Sequence, residues 1–182
     1  KSKKEFRVYS QQPMRSFMEF APGKILLGCT YSLILLDKAS GHITYLTECL
    51  AQDIIVRGDD IWVATAGDGL LHYNYKTKKA NRITMEAGLP SNFVNSLTYD
   101  NGYIWLGTEN GLCKYNPNDN SVKSFYNNMA FAGTSFNNTA VCKLRNGELI
   151  WGTNNGAIMF NPNKLGKSLI KGKIFYENIT IA

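Results

Sequence analysis

The stretch YIWLGTENGLCKYN, Tyr103 to Asn116, decides the fold, because a degraded copy of it occurs three more times in the chain. Ile-Trp-Val-Ala-Thr (Ile61 to Thr65), Ile-Trp-Leu-Gly-Thr (Ile104 to Thr108) and Leu-Ile-Trp-Gly-Thr (Leu149 to Thr153) align with Ile-Leu-Leu-Gly-Cys (Ile25 to Cys29). The alignment puts Gly28, Ala64, Gly107 and Gly152 in register, at steps of 36, 43 and 45 positions. Each copy is followed by a short turn and a second apolar run. A period of about 40 to 50 residues holding several short strands is the range of propeller blades and too long for a leucine-rich repeat. The runs alternate with period two and are cut by Asn-Gly turns, which argues against helical repeats.

The third copy shows why such a unit forms. Val94 to Tyr99 alternates and ends in Asp100-Asn101-Gly102, a strong hairpin signal, since a type I′ turn needs positive φ at both central residues. Tyr103 to Thr108 returns, Glu109-Asn110-Gly111 turns again, Leu112 to Asn116 follows, and Pro117 to Asn120 leads to Val122 to Tyr126. That is a four-stranded antiparallel meander. The expected fold is therefore all-β, a β-propeller segment of about four four-stranded antiparallel blades. In it Gly28, Ala64, Gly107 and Gly152 lie where radiating sheets crowd, and Trp62, Trp105 and Trp151 are core anchors rather than sugar platforms. Burying one Trp removes about 150 to 250 Å² from water, roughly 4 to 6 kcal/mol by area.

Taken in order, residues 1–15 read as the outer strand of a preceding blade (Phe6 to Tyr9) and a linker, 16–163 as four blades, and 164–182 as a Lys/Gly-rich linker and the first strand of a following module, Lys173 to Ala182. The chain begins and ends in mid-pattern, which reads as a piece of a longer protein. At 182 residues and 44% hydrophobic content it can bury roughly 70% of its unfolded surface. The net charge of +6 comes from the two ends, so the repeat body is neutral. No basic stripe tracks phosphates, and no nucleic-acid partner is expected. Cys29, Cys49, Cys113 and Cys142 show no Cys-x-x-Cys spacing, so no metal is expected; Cys113 and Cys142 read as small apolar fillers. His42 and His72 stand without a Cys or acidic partner at ligand spacing, and no nucleotide, hydrolase or metalloprotease motif occurs. No cofactor is expected.

Gly88-Leu89-Pro90-Ser91-Asn92-Phe93-Val94, then Leu97 to Asp100 and Ile104 to Leu112, resembles the two-component regulator propeller repeat of bacterial hybrid sensors, over about Met18 to Pro162. The second copy lacks Gly-Leu-Pro, the fourth has Trp151 one place late and Ala157 for Leu, and the first has no Trp. The resemblance implies a periplasmic sensor segment, in the extracytoplasmic part of an inner-membrane protein. It would be followed by an immunoglobulin-like triple-tyrosine module that Lys173 to Ala182 would enter, and would pass a signal to a histidine kinase in the rest of the chain. It further implies recognition of oligosaccharides from polysaccharide breakdown, without catalysis by this segment.

Strand parity places the links into the first strand and between the second and third strands of each blade on one face. There Glu109, Asn110, Asn127, Asn128, Asn154 and Asn155 are candidate sugar-binding residues, with Phe131 and Phe136 as candidate stacking rings; the competing reading of Asn and Gly at these points is turn geometry. Two other functions stay open, a propeller-type polysaccharide lyase or glycosidase whose acids are distant in the chain, and a purely structural dimerisation propeller. A four-blade piece leaves edges exposed, so a homodimer, or a small closed ring using Phe6 to Tyr9, is expected.

Overall fold

Asn101 and Gly102 both take positive φ, 47° and 87°, and the hairpin between them and the flanking strands forms as the Asp-Asn-Gly string predicts. The same logic repeats along the chain in a computed structural model that describes residues 12–125 and 130–165. The expected strands Phe6 to Tyr9 and Lys173 to Ala182, and the candidates Asn127 and Asn128, lie outside the described residues.

Four antiparallel sheets follow one another in chain order. Blade 1 holds β1 (Met14–Ala21), β2 (Lys24–Cys29), β3 (Ser32–Asp37) and β4 (Ile43–Glu48). Blade 2 holds β5 (Ala51–Arg57), β6 (Asp60–Thr65), β7 (Leu70–Asn74) and β8 (Lys79–Ile83). A 3-10 turn at Met85–Ala87 leads into blade 3, with β9 (Val94–Asp100), β10 (Tyr103–Thr108), β11 (Gly111–Asn116) and β12 (Ser121–Ser124). Blade 4 has three strands among the described residues, β13 (Phe136–Lys143), β14 (Leu149–Thr153) and β15 (Gly156–Phe160). The fold is all-β, built of propeller blades, as the spacing of the small residues implies.

Between blades the packing is apolar and two-sided. One cluster joins Leu26, Leu33 and Leu35 of blade 1 to Ile54, Ile61, Val63 and Leu71 of blade 2. A second joins Trp62, Ala64 and Leu70 to Leu97, Ile104, Leu106 and Cys113 of blade 3. The third joins Trp105, Leu112 and Phe125 to Phe136, Leu149 and Trp151 of blade 4. The small residues sit where the next blade comes closest. A β-carbon on Gly28 would stand 2.8 Å from the Ala51 Cβ and 3.1 Å from the Ile54 Cδ1, both in the following blade. On Gly107 it would stand 2.8 Å from the Phe136 Cβ and 2.8 Å from the Trp151 Nε1.

All three tryptophans are buried, but they do not play one role. Trp62 and Trp105 stand two residues before Ala64 and Gly107 and share their face. Trp151 stands one residue before Gly152, so it points the other way, back toward blade 3. Its indole N–H donates to the Ser96 Oγ at 2.7 Å, while the Trp105 N–H is buried with no hydrogen-bond partner. Trp105 is held instead by stacking on Phe125, with centroids 5.6 Å apart.

Near the axis the innermost strands are tied in sequence by polar groups. Arg15 donates to the Gln52 side chain (3.0 Å), the Leu97 N–H donates to the Asp53 carboxylate (3.0 Å), and the Asn95 amide donates to the Phe136 carbonyl (2.8 Å). Lys143 adds an ion pair to the buried Asp100 at 2.6 Å. Burial pushes the Asp53 carboxyl up, against the two backbone donors that hold it. Cys29, Cys49 and Cys113 are buried free thiols, the Cys49 thiol pushed up to about 12 by burial. Cys142, expected as a second apolar filler, is exposed instead, because its side of β13 is the outward face of blade 4.

Two stability changes follow from this packing. Gly107→Ala places a methyl against Phe136 and Trp151 and lowers stability by about 1–3 kcal/mol, measured by denaturant unfolding. Trp151→Phe costs about 1 kcal/mol more than Trp105→Phe in the same assay, because only the former breaks a buried hydrogen bond.

Candidate functional site

The upper face, defined by the links that enter each first strand and the turns between second and third strands, is stitched by main-chain hydrogen bonds. Each turn between second and third strands bonds to the entry of its own blade: Thr30 N–H to the Pro13 carbonyl, Ala66 to Leu50, Glu109 to Phe93, Asn154 to Ser135. It also bonds to the entry of the next: Cys49 N–H to the Tyr31 carbonyl, Gly67 and Gly69 to Asn92, Gly111 to Thr134. The loops that strand parity assigns to one face are thus in contact.

A recurring threonine closes three of these four turns; blade 1 has Cys29 in its place. Thr65, Thr108 and Thr153 donate through Oγ1 to the carbonyls of Gly69 (2.7 Å), Gly111 (2.8 Å) and Gly156 (3.1 Å). The same oxygens accept the N–H groups of Asp68, Asn110 and Asn155. Gly111 and Gly156 take φ of 117° and 126°, a region that side chains avoid.

The Gly-Leu-Pro-Ser string is equally legible in the structure. Gly88 turns at φ 102°, Leu89 plugs the core between blades 2 and 3, and Ser91 donates to the Glu109 carboxylate at 3.0 Å while accepting the Phe93 N–H. The Asn92 side chain accepts the Met85 N–H. Asn110 reaches the Pro90 carbonyl at 3.5 Å.

Of the candidate residues, Glu109, Asn110, Asn154 and Asn155 are exposed at the turn tips of this face, the first pair on blade 3 and the second on blade 4. Phe131 and Phe136 are 2% and 1% exposed, members of the core between blades 3 and 4, so neither ring has a face to offer. Their aromatic spacing signals packing, not a platform. Among the rings that the face does expose is Phe93, at 46%, lying over Gly67 with exposed Met85 nearby in the same link. Its signal in the sequence is a bulky apolar residue one place before β9 begins, outside the alternation of the strand. Tyr31, in the turn between β2 and β3 of blade 1, is a second exposed ring of this face.

Elsewhere the charged groups serve local structure. His72, without an acidic neighbour in sequence, lies 2.7 Å from Asp60 across the β6–β7 pair and stacks on Trp62 at 4.0 Å. Burial works against the Asp60 carboxylate, but the hydrogen bonds of Asn74 and His72 outweigh it and hold its pKa low. Asp37 caps its own turn through Ala39 and Ser40. It borders a cleft of about 410 Å³ on the lower face, with Lys24, His42 and Tyr75. Among the described residues no cluster of His, Cys, Asp and Glu is placed to hold a metal, and no helix is long and apolar enough to cross a membrane.

The segment that builds the upper face between blades 2 and 3, from the Gly88 turn to the Asn110 tip, is also the part that matches a known family. Residues 88–110 match the family model of the two component regulator propeller. The match spans the link, the β9–β10 hairpin and the turn that Ser91 and Glu109 join. Among solved structures, the extracellular domain of BT4673 from B. thetaiotaomicron, described as a hybrid two component system, is 27% identical with a TM-score of 0.63, over 76% of this chain and 19% of that one. The extracellular domain of BT3049 from the same organism, described likewise, is 20% identical with a TM-score of 0.61, over 84% and 28%. The chain therefore spans 19% and 28% of those two domains. A computationally designed protein, Ika4, shares the fold at 9% identity and a TM-score of 0.63, over 84% of this chain and 92% of its own. No curated protein sequence matches significantly.

The threonine closure is testable by an isosteric change. Thr108→Val removes the hydroxyl's bonds to the Gly111 carbonyl and from the Asn110 N–H and costs about 1–3 kcal/mol by denaturant unfolding.

Proposed function

We propose that this chain is a non-catalytic, extracytoplasmic sensing segment of a two-component regulator, and that its upper face binds an oligosaccharide. The observation that carries the reading is the exposed Phe93 ring, inside the matched repeat and beside the exposed tip residues Glu109 and Asn110. An apolar ring face flanked by amide and carboxylate groups suits a pyranose, which presents C–H groups on one face and hydroxyls at its rim. Asn154 and Asn155 on the next blade extend the polar surface in the direction a chain of sugars would run. Binding would bias the propeller's packing against the rest of the sensor and so the kinase beyond it.

The employment of five acids in local structure supports a binding rather than a hydrolytic role for the groups they would otherwise supply. Asp53, Asp60, Asp100 and Asp37 are engaged in strand links, an ion pair and a turn cap, and Glu109 holds Ser91. Extracellular placement rests on the domains that resemble this chain.

Calorimetric titration with oligosaccharides cut from a panel of polysaccharides tests the reading. One class binds, Phe93→Ala weakens it about tenfold or more without lowering the melting temperature, and no reducing ends or unsaturated products appear. Affinity unchanged by Phe93→Ala, or turnover of the bound sugar, overturns it.

A further inference from the structure

The lower face, where the links between first and second strands and between third and fourth strands emerge, differs in charge from the upper face. Among the described residues, the upper strand ends and links carry Glu48, Asp68, Glu86 and Glu109 and no lysine or arginine. Arg82, inside β8, reaches that side and is held there by Asp68 and the Glu48 carbonyl. The lower strand ends and links of blades 1 and 2 carry Lys24, Lys38, Arg57, Lys76, Lys78 and Lys79 against Asp37, Asp59 and Asp60. Two of those acids are committed, Asp60 to Asn74 and His72, and Asp37 to its own turn. An anion therefore meets an attractive potential below and a repulsive one above.

The cleft of about 410 Å³ lies within this basic side, on the face of blade 1 that meets blade 2. Strand pairing sets its lining. Lys24 pairs with Asp37 and Leu35 with Thr44, so these four side chains share one face; Ser40 and His42 extend it, and Tyr75 of blade 2 stands opposite. In blade 2 the positions in register with Lys24 and Asp37 are Asp60 and Asn74, which bond to each other at 2.8 Å with His72 added at 2.7 Å. In blade 1 the pair is not closed. The Ala39 N–H, the Ser40 N–H and the Ser40 hydroxyl all donate to Asp37 Oδ1, and among the described residues Oδ2 receives none. Among the same residues no carboxylate lies within ion-pair distance of the Lys24 ammonium. His42 is held by its peptide, which bonds to Ser40 and Asp37, and its ring makes no hydrogen bond there. The Tyr75 ring is fixed against Phe20 at 4.7 Å and carries the Lys78 ammonium at 3.6 Å, which brings a second cation to the rim.

We propose that this cleft binds a carboxylate-bearing sugar, a uronic acid residue, at a site separate from the upper face. Each lining group has a counterpart on such a ring. Lys24, His42 and Lys78 present N–H donors to a carboxylate, Asp37 Oδ2 accepts from a ring hydroxyl, the Ser40 and Thr44 hydroxyls serve another, and Leu35 and Tyr75 offer an apolar wall to C–H groups. A neutral sugar would leave the ammonium groups without an anion, and a carboxylate without hydroxyls would leave Asp37 Oδ2 unanswered. The volume admits one or two sugar rings. The inference does not depend on what the upper face binds, since the acids there disfavour a uronate.

Calorimetric titration of the 182-residue chain with glucuronic acid, galacturonic acid and their dimers, beside glucose, galactose and the matching neutral dimers, tests this. At least one uronate saturates the chain, its neutral counterpart binds about tenfold more weakly or worse, and added salt weakens the uronate alone. Lys24→Gln and His42→Ala each weaken it about tenfold or more. Neither side chain ties two elements together by a hydrogen bond or an ion pair, so the melting temperature of each variant stays near the wild-type value. Phe93→Ala leaves uronate affinity unchanged, which separates this cleft from the upper face. Dissociation constants above about 10 mM for every uronate overturn the proposal, as does equal affinity for a neutral counterpart. Uronate binding that survives Lys24→Gln and His42→Ala, or that is lost in Phe93→Ala, places the sugar elsewhere and overturns it too.

Discussion

A sheet with two apolar faces cannot be stable alone, and blades 2 and 3 of this protein are such sheets. Their stability is the stability of the contact with each neighbour, so the distance at which one blade can approach the next sets everything else. That distance is governed by the absence of a side chain at Gly28 and Gly107, where atoms of the following blade stand within 2.8 Å of the missing β-carbon. Because the approach is so close at this point, larger groups must lie elsewhere, and Trp62 and Trp105 take the position two residues earlier on the same face. The polar links of the innermost strands, Arg15 to Gln52, Asp53 to Leu97 and Asn95 to Phe136, are affordable only at that spacing.

The period, the order of strands and the hairpin turns were legible because they depend on local chemistry. Asp-Asn-Gly requires positive φ, alternating residues require a half-buried strand, and a small residue recurring every forty-odd positions requires a recurring close contact. What was not legible depends on which blade a side chain meets. Trp151 is displaced by one residue relative to its counterparts, and that displacement sends it to the opposite face, where it fills the gap left by Gly107. Phe131 and Phe136 lie in or beside a loop and read as surface rings, yet both rings are buried in the core between blades 3 and 4. His72 and Asp60 are twelve residues apart and meet only across a strand pair.

The same distinction separates the parts of the upper face. That the turns at Glu109 and Asn154 share a surface follows from strand parity, which is topological. That Phe93 exposes its ring follows from the course of the Gly88 to Asn92 link, held by hydrogen bonds to Met85, Gly67 and Gly69 that no periodicity announces. The repeat motif therefore encodes mostly architecture: Gly88 for a turn, Leu89 for a plug, Ser91 for a brace to Glu109.

The threonine closures carry a consequence for how such a surface can diversify. The main chain of residues 109–110 and 154–155 is held by the threonine hydroxyl two positions before Asn110 and Asn155 and by the N–H groups of Glu109 and Asn154, while on blade 3 the side chains of Glu109 and Asn110 add bonds to Ser91 and Pro90. The course of each tip is therefore set first by its main chain, and its side chains can change with little reworking of the scaffold beneath. Proteins built on this plan are free to acquire new recognition chemistry one tip at a time, while the architecture that presents it stays constant.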